Sequence, residues 1–171
     1  FEEPIDLDRL KDNERKHFTG KPVVLWCGNP YNLRAIRNSL DVLRRVRKHT
    51  PFVLRVVCGE KPSQEFSYGL DVEWRRFDHQ SEGHLIAGSW IGIAPMEDST
   101  YNRCKGAYKV KTYLAAGLPV VASPVGFQSE LVRGGHNVGL LPDSPTAWEE
   151  SISMLLKNPS LCAQMGARAR T

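Results

Sequence analysis

Two lysines and a threonine near the middle of the chain have types and a spacing that could bind a diphosphate. Lys105, Lys109 and Thr112 are four and three residues apart, so a helix that begins near Lys105 brings them onto one face. The N-terminus of such a helix adds unpaired backbone N–H groups and a partial positive charge, which suit an anion. The same spacing also fits lysines that only solvate a surface helix, and spacing alone leaves both interpretations open.

Other kinds of site find less support. The five histidines show no HxxxH or HxH spacing and the four cysteines form no CxxC pair, so we predict no metal site and no disulfide. A glycine pair at 134–135 lacks the GxGxxG spacing of a dinucleotide site. We therefore expect neither a metal nor a cofactor.

A basic run also falls on the outer face of one predicted helix. Its members are Arg44, Arg45, Arg47 and Lys48. Because the net charge is only +4, we interpret this run as a solvated face and predict no nucleic-acid partner. Contact with anionic lipid or with a partner domain is the alternative.

Strands alternating with helices are predicted to position these residues. Short apolar runs that end in Gly or Pro predict strands, and apolar residues every three or four positions predict helices. The predicted strands are 22–27, 52–59, 71–76, 89–95, 119–122 and 138–141. The predicted helices are 32–49, 80–87, 106–116, 126–133, 145–157 and one from 160 onward, with a polar loop at 96–104. This order predicts an α/β fold with an open, mostly parallel Rossmann-like sheet of about six strands and helices on both faces, whose ligands bind at the carboxyl ends of the strands.

Length and composition indicate one domain. The chain has 171 residues, of which 41% are apolar and 25% charged, as is usual for globular proteins. We predict a lead-in segment at 1–21 and a domain at 22–171. The separated cysteines suit a reducing compartment, and neither a signal peptide nor an 18-residue apolar run is found, so a cytoplasmic location is expected. A first residue other than Met and a last helix without a capping signal suggest a piece of a longer protein.

Several segments together resemble a known family. The run KVKTYLAAGLPVVASPVG at 109–126 resembles the nucleotide-sugar-binding core of group 1 glycosyltransferases with the GT-B fold. ELVRGGHNVGLL at 130–141, WIGIAPM at 90–96 and LWCG at 25–28 are similar to further parts of the same domain. The resemblance covers about residues 22–170.

The resemblance implies transfer of a sugar from a nucleotide diphosphate sugar to an acceptor that is a glycan, a lipid-linked molecule or a small molecule. It further implies retention of anomeric configuration and no bound metal, because protein cations neutralise the leaving diphosphate. The diphosphate-binding candidates are Lys109, Lys105, Arg34 and Gly28. By resemblance the chain is the C-terminal, donor-binding half and inactive alone. The acceptor domain and the catalytic residues are expected in an N-terminal half, and the acceptor implies peripheral contact with the inner membrane face.

Some positions depart from the family pattern. Thr112 stands at the position where a glutamate commonly hydrogen-bonds to the ribose hydroxyls. Cys104 stands near the position of a second glutamate that contacts the donor sugar. Glu97 or Asp98 could replace that second glutamate if their loop folds back. Asn29 occupies a position where an arginine is common and cannot supply its charge.

Glu130 is a further candidate, as a donor contact or as a cap of its own helix. Two alternatives to an enzyme half remain: a catalytically degenerate nucleotide-binding or scaffold module on the same fold, and a standalone Rossmann-like regulator.

Overall fold

A six-stranded parallel sheet forms the centre of the chain. The computed structural model describes residues 5–7, 10 and 20–170, and the predicted lead-in at 1–21 lies mostly outside these residues. The strands are β1 (Val23–Cys27), β2 (Val53–Cys58), β3 (Val72–Arg76), β4 (Ile91–Ala94), β5 (Val120–Ala122) and β6 (Gly139–Leu140). They lie in the order β3-β2-β1-β4-β5-β6, and every neighbouring pair is parallel. The predicted fold class is confirmed.

Helices cover both faces of this sheet. In chain order they are α1 (Leu33–Arg37), α2 (Leu40–His49), α3 (Gln64–Ser67), α4 (Glu82–Ile86), α5 (Thr100–Arg103), α6 (Tyr108–Ala115), α7 (Gly126–Gly134), α8 (Pro145–Lys157) and α9 (Pro159–Arg168). Buried side chains of α1, α2, α8 and α9 form one core layer with the sheet, and those of α4, α6 and α7 form the other. None of the helices in the described part of the chain is both long and apolar enough to cross a membrane.

The prediction of one continuous helix at 32–49 is wrong, because this segment forms two helices. A 3-10 turn at Pro30–Asn32 leads into α1, and α2 starts only at Leu40. The break falls on Asn38 and Ser39, residue types that disfavour helix interiors because they compete for backbone hydrogen bonds. The apolar stripe nevertheless continues across the break, so both helices bury the same face.

The predicted loop 96–104 is also wrong in part, because it contains α5. Ser99 begins that helix: its hydroxyl accepts a hydrogen bond from the backbone N–H of Asn102 at 3.2 Å. The next helix, α6, begins at Tyr108 rather than near Lys105, because Ala107 adopts a left-handed conformation with φ of 54°. Lys105 therefore precedes the helix, and the predicted shared helical face of Lys105 and Lys109 is wrong.

Candidate functional site

A cavity of about 960 Å³ opens at the carboxyl ends of the central strands, beside the N-terminus of α6. This is the position at which open parallel sheets bind ligands, and the volume is in the range of small-molecule sites. Six predicted site residues line it: Gly28, Arg34, Glu97, Lys105, Lys109 and Thr112. Asp98 and Glu130, which were also predicted, are not among the lining residues.

Lys109 supplies the innermost cation of the cavity. Its ammonium nitrogen lies 5.1 Å from the ring centroid of Trp26, a fully buried side chain at the end of β1. A Cβ atom placed on Gly28 would lie 3.0 Å from that nitrogen and 2.9 Å from two Trp26 ring carbons, so the ammonium can approach only because residue 28 is glycine. Burial lowers the pKa of Lys109, and the nearby charge of Lys105 acts in the same direction. No carboxylate of the described residues forms an ion pair with Lys109.

The N-terminus of α6 adds backbone donors beside this ammonium. Its N-cap, Ala107, makes no side-chain hydrogen bond to the first turn, and Ala107 itself lines the cavity. The first N–H groups of a helix have no intrahelical partner. An anion in the cavity would therefore meet both the Lys109 ammonium and the positive end of the α6 dipole.

Two further cations lie nearer to the mouth. The Lys105 ammonium lies 4.7 Å from the ring centroid of Tyr101, an exposed side chain. Arg34 lies exposed on α1 and lines the cavity. Asn29 is exposed, and its side-chain oxygen accepts a hydrogen bond from the Tyr31 N–H at 3.1 Å, which caps the 3-10 turn.

The acidic candidates in the loop after β4 are held by neighbouring side chains. Glu97 accepts a hydrogen bond of 2.7 Å from the Asn38 side chain, at the break between α1 and α2. Asp98 forms a two-point ion pair with Arg103, at 2.5 and 2.7 Å, and this hydrogen-bonded guanidinium lowers the pKa of Asp98. Glu97 thus remains at the cavity, whereas Asp98 is engaged outside it.

Of the two remaining candidates, Thr112 is buried at the cavity and Glu130 is exposed away from it. Thr112 is 2% exposed in the cavity wall, and its hydroxyl makes no hydrogen bond among the described residues. Glu130 is exposed in the second turn of α7. The prediction that it caps this helix is wrong, because it stands five positions after the N-cap Val125 and a capping box needs the third.

Sequence reasoning missed a buried carboxylate in the cavity wall. Glu82, the first residue of α4, is 4% exposed, and its Oε2 accepts a hydrogen bond from the Tyr108 hydroxyl at 3.2 Å. Its Oε1 is buried without a hydrogen-bond partner. Burial raises the pKa of Tyr108, and the Glu82 carboxylate raises it further. The only signal in the sequence was weak helical periodicity at 80–87, which does not report burial.

The cysteines near the site do not offer a reactive nucleophile inside it. Burial raises the pKa of Cys27 to about 12, which keeps its thiol protonated. Cys104 is exposed and is not among the cavity-lining residues. No group of three or more potential metal ligands occurs among residues 5–7, 10 and 20–170.

Comparison with known proteins agrees with this architecture. The sequence profile of the family described as "Glycosyl transferases group 1" matches residues 21–158, more than half of the chain. The chain belongs to this family. No curated protein sequence matches this glycosyltransferase domain significantly.

Solved structures show the same fold at low identity. TarM superposes with a TM-score of 0.73 at 16% identity, covering 92% of this chain and 32% of TarM. WaaG, described as a glycosyltransferase involved in lipopolysaccharide biosynthesis, gives 0.67 at 16% identity, covering 96% of this chain and 44% of WaaG. The C-terminal domain of LpcC, a glycosyl transferase group 1 protein from Francisella tularensis, gives 0.66 at 12% identity, covering 99% of this chain and 91% of that domain. The chain thus spans less than half of TarM and WaaG.

Proposed function

We propose that the chain is the donor-binding lobe of a GT-B glycosyltransferase and binds a nucleoside diphosphate sugar in the cavity beside α6. The main support for this proposal is the Lys109 ammonium. It is partly desolvated, it forms no ion pair with a described carboxylate, and it lies next to the N-terminus of α6, which has no side-chain cap. Lys109 is half-buried, so its ammonium loses part of its hydration, and a diphosphate would compensate for that loss. Lys105 and Arg34 would contribute at the mouth, and Gly28 would leave room for the phosphates.

The same groups can assist the transfer reaction. When the bond between the sugar and the diphosphate breaks, negative charge accumulates on the phosphate oxygens of the leaving group. An ammonium group and helix N–H donors positioned at those oxygens stabilise that charge more than they stabilise the ground state. Since the protein supplies these positive groups itself, we propose that transfer needs no bound metal, and by family resemblance that it retains the anomeric configuration of the sugar.

The rest of the reaction is assigned to another lobe. The chain covers 91% of the LpcC C-terminal domain but only 44% of WaaG. This difference supports a C-terminal lobe that pairs with an N-terminal acceptor lobe. We propose that the isolated lobe binds donor but transfers nothing, and that the acceptor belongs to polysaccharide synthesis on the cytoplasmic side, with peripheral contact at the membrane face. The involvement of WaaG in lipopolysaccharide biosynthesis is consistent with this proposal.

Titration calorimetry with UDP, GDP and their sugar conjugates tests donor binding. We expect saturable binding that Lys109→Ala weakens by about tenfold or more, since a hydrogen bond to a charged group contributes roughly 1.5–3 kcal/mol. Lys111→Ala is the matched control, because Lys111 stands on the same helix outside the cavity lining. Absence of binding by every nucleotide would refute the proposal.

A catalytically degenerate module is the second candidate. Thr112, a buried hydroxyl in place of the family glutamate, and the engagement of Asp98 by Arg103 favour it, because both reduce the polar groups available to ribose and sugar. Nucleotide binding without sugar transfer or donor hydrolysis in the protein joined to its N-terminal lobe would support this candidate over the enzyme.

A further inference from the structure

Gln128 is a buried polar residue in the wall of the cavity. It stands in the first turn of α7, is 2% exposed and lines the cavity. The other glutamines of the chain, Gln64, Gln80 and Gln164, are exposed and lie outside the cavity lining. Buried polar groups are normally hydrogen-bonded, so the partners of the Gln128 amide indicate what this side chain does.

The amide nitrogen of Gln128 supports the fold. Its Nε2 donates a hydrogen bond of 3.3 Å to the carbonyl oxygen of Ala94, the last residue of β4, and one of 2.7 Å to that of Ser123, which follows β5. Carbonyl oxygens only accept hydrogen bonds, so these contacts determine which end of the amide is the nitrogen. Both N–H groups are used, and the side chain is held in one orientation.

The amide oxygen of Gln128 remains available to a ligand. Oε1 accepts no hydrogen bond from the part of the chain that the structure describes. The unpartnered oxygens of Glu82 and Thr112 are fully enclosed, whereas the Gln128 Oε1 is not one of these enclosed atoms. Because both N–H groups are already bonded, Gln128 can offer a ligand only this acceptor. A ligand group that donates to Oε1 would provide the hydrogen bond that the fold leaves unmade.

We propose that Gln128 accepts a hydrogen bond from a hydroxyl group of the donor and thereby contributes to donor specificity. The inference rests on the proposed function of the cavity. Hydroxyl groups are the most numerous hydrogen-bond donors of a nucleoside diphosphate sugar, on its ribose and on its transferred sugar, whereas the diphosphate accepts. Polar residues of the segment after β4, Glu97, Ser99 and Asn102, line the same cavity, which suits a ligand rich in hydroxyl groups. A ligand without the contacted hydroxyl would leave Oε1 unpaired and bind less tightly.

A double-mutant cycle between Gln128 and the ligand tests the inference. Calorimetry compares the unmodified protein and Gln128→Met with UDP, 2′-deoxy-UDP, 3′-deoxy-UDP and UDP-glucose, or with the same GDP series if GDP binds more tightly. Loss of a contacted ribose hydroxyl should weaken binding to the unmodified protein about three- to tenfold, as expected for one neutral hydrogen bond, and should have little effect in Gln128→Met. For a contact to the transferred sugar, the affinity of UDP-glucose relative to UDP should instead fall by that factor in Gln128→Met.

The cycle separates a direct contact from a general effect of the substitution. Gln128→Met also removes the hydrogen bonds to Ala94 and Ser123, and the resulting change of cavity shape affects all the ligands and cancels in the ratios of affinities. Gln164→Met, at an exposed position of α9, is the matched control and should leave every ratio unchanged. Circular dichroism checks that each variant is folded.

Nuclear magnetic resonance of the unmodified protein provides a second test, which does not depend on the folding of Gln128→Met. With ¹⁵N-labelled glutamine, Gln128 is observed beside the exposed Gln64, Gln80 and Gln164, which act as internal controls. A hydrogen bond accepted by Oε1 polarises the amide, so saturation with UDP-glucose or GDP-glucose should shift the Gln128 side-chain signal and leave the other three in place. An unshifted Gln128 signal at saturation would overturn the inference.

The outcomes distinguish this inference from the proposed function. If the nucleotides bind and need Lys109 but no ratio changes in Gln128→Met, the donor site stands and the role of Gln128 is refuted. A changed ratio supports the role and shows whether ribose or the transferred sugar supplies the hydroxyl. If no nucleotide binds, both the donor site and the inference fail.

Discussion

Replacing Gly28 by alanine tests the packing of the cavity floor. The new Cβ would lie 2.9 Å from two Trp26 ring carbons and 3.0 Å from the Lys109 ammonium nitrogen. Trp26 is fully buried, so it cannot move away cheaply, and the flexible end of Lys109 has to shift instead. Gly28 has no positive φ, so the substitution introduces crowding without backbone strain.

Overpacking of this kind costs about 1–3 kcal/mol. For a domain of this length each 1 kcal/mol shifts Tm by about 2–4 °C, so Gly28→Ala should lower Tm by about 2–12 °C in scanning calorimetry. Displacement of the ammonium should also weaken nucleoside diphosphate binding.

Gly59→Ala is the matched control for Gly28→Ala. Gly59 lies at the carboxyl end of the neighbouring strand and lines the same cavity, but its Cβ would meet only Pro30, at an ordinary 3.6 Å. We expect Gly59→Ala to leave Tm unchanged or to raise it slightly, because alanine restricts the unfolded chain. If Gly28→Ala behaves like Gly59→Ala in both stability and binding, the close approach of Lys109 to the bare backbone is not what shapes the site.

Three further predictions concern charged groups. Burial lowers the pKa of Lys109, so diphosphate affinity measured by calorimetry should fall as pH rises through that lowered pKa, and Lys109→Arg, which stays charged, should remove the fall. Burial alone would raise the pKa of Glu73, but hydrogen bonds from Arg55 and Arg75 outweigh it and lower the pKa. The stability that Glu73 contributes is therefore present above its unfolded pKa and lost as pH falls through the lowered one. Urea unfolding should show this loss in the wild type and not in Glu73→Gln. Arg55→Met should lower the free energy of unfolding by about 2–3 kcal/mol at neutral pH, because Arg55 is buried and also donates to the carbonyl oxygen of Ala87 at 2.6 Å. An unchanged urea midpoint in Arg55→Met would contradict this third prediction.

The sheet could be predicted because its signals are local. Val23–Cys27 is an apolar run on both faces, bounded by Pro22 and Gly28, and such a run favours a strand buried between two helical layers. The α8 helix is likewise capped by Ser144, whose hydroxyl accepts a hydrogen bond from the Ala147 N–H, and it ends before Pro159. Each of these signals acts within a few residues, so one sequence contains it.

The segment from 96 to 107 could not be predicted because distant residues determine its shape. Glu97 is hydrogen-bonded to Asn38, which is 59 positions away in the chain. A Cβ on Gly126 would lie 2.7 Å from the backbone oxygen of Arg103, so α5 packs directly against the bare backbone at the start of α7. Ala107 adopts a left-handed φ although alanine has no local preference for it. Periodicity contains none of this information, and it therefore put the start of the helix near Lys105.

Lys109 shows how burial resolves an ambiguity that spacing leaves open. A lysine that solvates a helix surface keeps its ammonium in water, with an ordinary pKa. The Lys109 ammonium instead lies beside the Trp26 ring at the end of a buried strand, where burial lowers its pKa. Sequence spacing cannot distinguish the two situations, because both put lysine at the same position of a helix. The cost of desolvating this cation makes simple solvation a poor explanation of its position, and an anionic ligand in the adjoining cavity would offset that cost.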